Sequence, residues 1–182
     1  MNKLSKLLAV RELKQEFAQR RTKLYRVAYS WCHSPSLADD LVQETMLKAF
    51  KNVESLKNQA TLDTWLYRIL SNNWHDYLRV QGRNTELFDM SDDDAMDHSD
   101  LYQQSQIVAR VRSTVAQLPM PLREVVSLAD FAGCSYAEIA DILDIPIGTV
   151  MSRLYRARQS LKEQLLDLAG EQRIPIKLMR VK

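Results

Sequence analysis

Breaks in regular structure are rare in this chain, which has 4 glycines and 5 prolines among 182 residues. Most of them mark boundaries between periodic stretches. Strand-like alternation is nearly absent and helical spacing is common, so an all-α protein is expected. There are 2 cysteines, Cys32 and Cys134, and neither sits in a CxxC pair or near suitably spaced histidines. That argues against a bound metal and against a disulfide framework, and it fits a reducing compartment in which the thiols act as small apolar residues. No apolar run approaches the length of a membrane span, and MNKLSKLLAVRELKQEF at the start lacks the continuous apolar stretch of a secretory signal. A cytoplasmic location is expected. His75 has no carboxylate–nucleophile constellation around it in sequence, so it reads as a surface residue. Neither catalytic residues nor a cofactor are expected.

Basic residues are also missing from one stretch. Residues 86–105 hold 7 acids and no Lys or Arg, while residues 1–85 hold 14 bases against 8 acids and residues 106–182 hold 11 against 8. The bland net charge of +2 therefore hides two basic blocks around an acidic segment, a pattern suited to polyanion-binding domains joined by a non-binding linker. The stretch NTELFDMSDDDAMDHSDLYQQS lacks periodicity and repels itself, so it reads as an extended linker over 84–105. The expected division is 1–83, the linker, a second helical domain over 106–170, and a short basic tail over 171–182.

In the first block, Leu13, Phe17, Leu24, Ala28 and Trp31 fall at near-helical spacing within a helix from about Leu7 to Cys32. Ser34-Pro35-Ser36 should stop it. Ser36 can then cap a second helix whose first turn would hold Asp39 and Asp40. That helix runs to about Phe50, followed by a loop to Ala60. A third, from about Thr61 to Val80 and stopping before Gly82, should bury Trp65, Leu66, Ile69, Leu70 and Leu78. It should expose Asn72, Asn73, His75 and Arg79, a set that could hold an unstacked base. In the second block, helices are expected at about Ile107–Leu118 and Pro121–Ala132.

Ser135 to Leu161 carries the most information. Ser135 and Glu138 form S-x-x-E, a capping box, before a short helix with Ile139, Ala140, Ile142 and Leu143 on its apolar side. Asp144 to Gly148 reads as a turn. In the next helix Val150, Leu154, Ala157 and Leu161 make one stripe. Ser152, Tyr155, Arg156 and Gln159 lie opposite, flanked by Arg153 and Arg158. This is the layout of a helix-turn-helix whose second helix enters a DNA major groove, where Arg reads guanine and Ser, Tyr or Gln reach bases or phosphates. The plainer alternative is an amphipathic helix with a solvated basic face.

Taken in order, DDLVQET at 39–45, TWLYRI at 64–69, the acidic segment and SYAEIADIL…IPIGTV…SRLYRAR at 135–158 resemble a bacterial RNA polymerase sigma factor of the extracytoplasmic-function type, in the sigma-70 family. The resemblance covers about Leu13 to Leu165. It implies two helical domains, of which the first binds core RNA polymerase and the −10 promoter element, and the second reads the −35 element. It places Asp40, Gln43, Glu44 and Leu47 on the polymerase. Lys48, the loop Leu56-Lys57-Asn58 and Asn72 fall at the captured −10 base, and Arg68 and Arg79 on the DNA backbone there. Ser152, Tyr155 and Arg156 form the −35 face, with Arg153 and Arg158 near phosphates. It also implies an anti-sigma factor as negative regulator, and a linker whose Asp92, Asp93 and Asp94 imitate RNA phosphates. The chain departs from the family pattern at Met151, where a basic residue is common, at Asp144, where glycine is common, and at Asn73-Trp74, bulky beside the captured base. Two rivals stand beside this reading. A stand-alone helix-turn-helix regulator leaves DDLVQET and TWLYRI unexplained. A nucleic-acid enzyme lacks a carboxylate cluster outside the linker.

Overall fold

The computed structural model describes residues 3–56, 61–84 and 110–171. Lys57, Asn58, the acidic segment from residue 85, the tail from residue 172 and the side chain of Leu13 lie outside the described residues. All regular structure described is helical, and none of these helices is long and apolar enough to cross a membrane.

Helix α1 (Lys3–Cys32) buries Phe17, Leu24, Ala28 and Trp31 of the expected stripe, and Val27 beside them. It ends at His33, whose left-handed φ of 53° turns the chain while its N–H donates to the Tyr29 carbonyl at 2.8 Å. Helix α2 (Pro35–Lys51) is capped by Ser34, whose side chain accepts from the Leu37 N–H, and not by Ser36. Pro35 decides between the two serines: it has no N–H to satisfy and its fixed φ suits the first helical position. Asp39 therefore falls beyond the first turn and pairs instead with Arg21 of α1 at 2.7 Å. Lys48 and Lys51 in the last turn face the negative end of the helix dipole. The stretch expected as a loop contains a 3₁₀ turn, Val53–Ser55, with Val53 buried.

Helix α3 (Leu62–Asn84) runs straight through Gly82. A lone glycine costs a helix only about 1 kcal/mol, too little to end 23 residues held by packing. It buries Leu62, Leu66, Tyr67, Leu70 and Trp74, with Trp65, Ile69 and Leu78 half-buried against them. Arg20 of α1 bonds Asp63 in the first turn of α3 and Glu16 on its own helix.

The second group begins with α4 (residues 110–116). Helix α5 (Met120–Val126) follows and widens into π-helical turns over Ser127–Ala132, closed by Gly133 at φ 78°, a left-handed position that glycine occupies without strain. Helices α6 (Tyr136–Leu143) and α7 (Ile147–Glu171) complete it.

The two groups share one core. Buried side chains of α1–α3 and of α5–α7 form a continuous apolar cluster. The seam is also hydrogen-bonded. The hydroxyls of Ser30 and Ser127 meet at 2.7 Å, both buried. Arg123 donates to the Trp31 carbonyl at 2.9 Å and to the Leu118 carbonyl at 3.0 Å. Its charge thereby satisfies a carbonyl in the last turn of α1, where no intrahelical donor is left. Trp74 Nε1 reaches the Met120 sulfur at 3.3 Å. Further along, Thr64 donates to Glu138 at 3.2 Å and Arg68 to the Asp141 carbonyl at 2.6 Å, laying α6 against α3.

Candidate nucleic-acid interface

The geometry of α6 follows from its first residue. The Ser135 hydroxyl accepts from the Glu138 N–H at 3.3 Å, and the Glu138 carboxylate accepts from the Ser135 N–H at 2.8 Å. This reciprocal capping box satisfies two otherwise orphaned donors. The hydrogen bonds from Ser135, side chain first and then backbone, hold the Glu138 carboxyl below the usual carboxylate range against the opposing effect of burial. Ile139 and Ile142 are buried. At the other end Asp144 adopts φ 52°, ψ 49° and donates its N–H to the Ala140 carbonyl. Short Asp side chains tolerate this left-handed conformation better than most, so the turn keeps a glycine-like geometry without glycine.

Helix α7 presses Val150, Leu154 and Ala157 into the core, with Leu161 half-buried. Ser152, Tyr155, Arg156, Arg158 and Gln159 are exposed, and Arg153 is half-buried at the edge of the stripe. The predicted outward face is thus present, with Tyr155 74% exposed. Ser152 donates to Thr149 at 3.0 Å and Arg156 to Ser152 at 3.4 Å, both to carbonyls of α7 itself. Arg158 pairs with Asp130 at 2.8 Å.

On α2, Asp40, Gln43, Glu44 and Leu47 are all exposed. Their spacing of three, one and three places them on one helix face. The set expected at the captured base is more dispersed. Arg68, Asn72 and Arg79 are exposed on α3, and Arg79 pairs with Asp76 at 2.9 Å. Lys48 is tied to α3 through Asn73 Oδ1 at 2.6 Å, with Glu44 and Asp76 at 3.8 and 3.9 Å. Leu56 packs half-buried against the core.

Asn73 was expected on the surface and is buried, 4% exposed. It accepts from Lys48 and donates to the Thr45 hydroxyl at 3.0 Å, so it fastens α2 to α3. Its neighbour Trp74 is buried as well and stacked on Tyr77, so Asn73 and Trp74 add no bulk to the surface of α3. His75 is exposed as expected, but its Nε2 meets Glu124 Oε1 of α5 at 2.6 Å. That hydrogen bond raises the His75 pKa, burial opposing it. His33 moves the other way, to about 4, chiefly through burial and secondarily through the charge of Arg123. Burial pushes the Cys32 thiol up, and the Cys134 thiol up to about 12, so neither is held as a thiolate at neutral pH. Sequence reasoning missed the seam residues Ser30, Arg123, Glu124 and Ser127. Arg123-Glu124 inside the apolar run of PLREVVSL was the signal available, since buried charges are placed for a partner.

Fold and faces define an all-helical protein with a helix-turn-helix and a second, separate exposed helix face on one chain. Family comparison gives the class its name. Residues 17–84 match Sigma-70 region 2 and residues 109–161 match Sigma-70, region 4. The ECF RNA polymerase sigma-E factor of Haemophilus influenzae is 33% identical over 141 residues, 71% of this chain and 75% of that protein. The RNA polymerase sigma-H factor of Pseudomonas aeruginosa is 32% identical over 161 residues, 82% of this chain and 83% of that one. Among solved structures, the sigma factor RpoE in complex with the anti-sigma factor NepR from Bartonella quintana superposes with a TM-score of 0.73 at 30% identity, covering 85% of this chain and 97% of that one. CnrH, solved with the cytosolic domain of CnrY, gives 0.66 at 27% identity, covering 90% and 95%. The chain belongs to the sigma-70 family of RNA polymerase sigma factors, in its extracytoplasmic-function group.

Proposed function

We infer that this chain is an alternative sigma factor: it binds core RNA polymerase in the cytoplasm and directs transcription initiation at a particular class of promoter, with no catalysis of its own. The observation that carries this is the pairing, on one chain, of a capped helix-turn-helix with an exposed reading face and a separate α2 stripe of Asp40, Gln43, Glu44 and Leu47. In this reading α7 docks in the −35 major groove through Ser152, Tyr155 and Arg156, with Arg153 and Arg158 on phosphates. The α2 stripe holds the polymerase. Lys48, Leu56, Lys57, Asn58, Arg68, Asn72 and Arg79 surround the −10 element, where a base leaves the stack. Flipping a base costs a few kcal/mol, so strand opening is driven by tighter binding of the opened strand.

The packed seam bears on the order of these events. Arg68 is engaged by Asp141 of α6, so the first domain meets −10 DNA through Arg68 only after α6 moves off α3. An anti-sigma factor, of the kind bound to RpoE in the Bartonella quintana complex, regulates this chain by holding it away from the polymerase.

The test is run-off transcription by purified core RNA polymerase on fragmented DNA of the source genome, with and without the protein. New start sites should appear with it and vanish on Arg156→Ala and on Gln43→Ala. Tight operator binding by the protein alone, with no capture of core polymerase, would replace this reading with that of a stand-alone duplex-binding regulator.

A further inference from the structure

The reading helix carries an apolar row, and two of its three members, Ile147 and Met151, are not used by its role as a phosphate and guanine binder. Ile147, Met151 and Tyr155 lie four residues apart on α7 and are 50%, 54% and 74% exposed. Steps of four residues rise about 6 Å each, so the row spans about 12 Å along α7, comparable to three or four base-pair steps at 3.4 Å. It begins in the first turn of α7, and the N-terminal residues of a recognition helix are those that meet base edges. Beside it stand Ser152 and Arg156 on the outward face and Arg158 at the margin. Gly148 has no atom within 4 Å of where a Cβ would stand, which leaves that turn open to close approach.

The chemistry of the row selects its occupant. Met151 has no donor, and its thioether is at best a weak acceptor, so it does not read a base by hydrogen bonds. A row of exposed apolar groups beside guanidinium groups suits a ligand that offers apolar groups flanked by anions. In the major groove the apolar group on the base edges is the thymine 5-methyl, and phosphates line both sides. The flexible, polarizable methionine side chain adapts to such a contact.

We propose that Met151, with Ile147 on its N-terminal side, is a specificity-determining residue that reads thymine methyl groups in the −35 duplex. The proposal rests on α7 being the −35 helix and names what part of that helix selects. The −35 element of this protein then contains thymine, on either strand, where Met151 lands.

The experiment uses the full chain assembled with core RNA polymerase, on a promoter recovered by run-off transcription. Each thymine of its −35 window is replaced singly by deoxyuridine, which removes only the methyl. Binding should fall about fourfold at one or two positions, the equivalent of one buried methyl. Met151→Ala should lose most of that difference while still forming holoenzyme, and Met151→Gln should shift the preferred base when the window is randomised. Met151 is exposed, and circular dichroism checks that each variant folds. A wild-type holoenzyme that selects a −35 sequence yet ignores every thymine methyl overturns the proposal and leaves promoter reading intact. A holoenzyme that selects no sequence overturns both. A methyl effect untouched by Met151→Ala, with weakened capture of core polymerase instead, makes the row a protein-docking face and also overturns it.

Discussion

Helices α3 and α7 carry the two faces proposed to meet DNA, and they are held differently. On α3, Arg68 is bound to Asp141 of α6, His75 to Glu124 of α5, and Arg79 to Asp76 of its own helix. On α7, Ser152 and Arg156 bond carbonyls of the helix itself, and Tyr155 projects. Helix α7 packs on α5 and α6 with one side and leaves the other exposed. Helix α3 has α1 and α2 behind it and α6 on the surface that carries Arg68, the proposed −10 contact. In the proposed reading Ser152, Tyr155 and Arg156 meet the duplex as they stand, Arg158 first leaves Asp130 within the second domain, and capture of a single strand through Arg68 needs the two domains to part.

The comparison can be broken most forcefully at Leu128, fully buried in the π-helical turn that packs on α1. Leu128→Ala should lower the unfolding free energy by about 2–5 kcal/mol, the range for a large-to-small core substitution, measured by urea denaturation. A change below about 1 kcal/mol would mean that the seam is not part of the core. Next in size, Arg156→Ala should weaken −35 binding by about 1–3 kcal/mol, the discrimination typical of a bidentate base contact, with the melting temperature unchanged. An equal loss on Arg68→Ala in a −35-only duplex would erase the distinction between the helices. A smaller effect is expected at Asp141, where the backbone carbonyl keeps its bond to Arg68 after the carboxylate is gone. Asp141→Ala should raise promoter opening no more than about fivefold, since exposed ion pairs contribute roughly 0–1 kcal/mol. A fall in opening would show that the contact does not compete with DNA.

The smallest effect concerns pH. The pKa of His75 is raised through Glu124. Its contribution to the seam is therefore fully present below the unfolded value of about 6.5 and lost as pH rises through the folded value. Glu124→Gln should return the His75 titration, followed by NMR, toward the ordinary value. A titration unmoved by that substitution would separate His75 from the seam.

How much of this was legible depended on range. The capping box of Ser135 and Glu138, the stripe of Val150, Leu154 and Ala157, and the exposed face of α7 are set by residues within one or two turns of each other, and all stand where the spacing put them. Ser34 and Ser36 were harder, because both can cap and Pro35 between them decides. The limit fell at Asn73 and Trp74. Their fate turns on Lys48 and Thr45 of α2 and on Met120 of α5, partners far along the chain whose positions no local pattern reveals. The candidate −10 set divides on the same ground: Arg68 and Asn72 stand on a helix face, while Leu56 folds back on the core.

Arg123 holds a consequence for anyone building hybrids. It closes the last turn of α1 from the opposite domain, through the Trp31 carbonyl. Grafting a foreign second domain onto this first one replaces the donor as well as the DNA preference, and the recipient's helix end is left open. A chimera that changes promoter choice while keeping the parent's resting state should therefore transplant the outward residues of α7 alone, or carry Arg123, Glu124 and Ser127 across together with their receptors Trp31, His75 and Ser30.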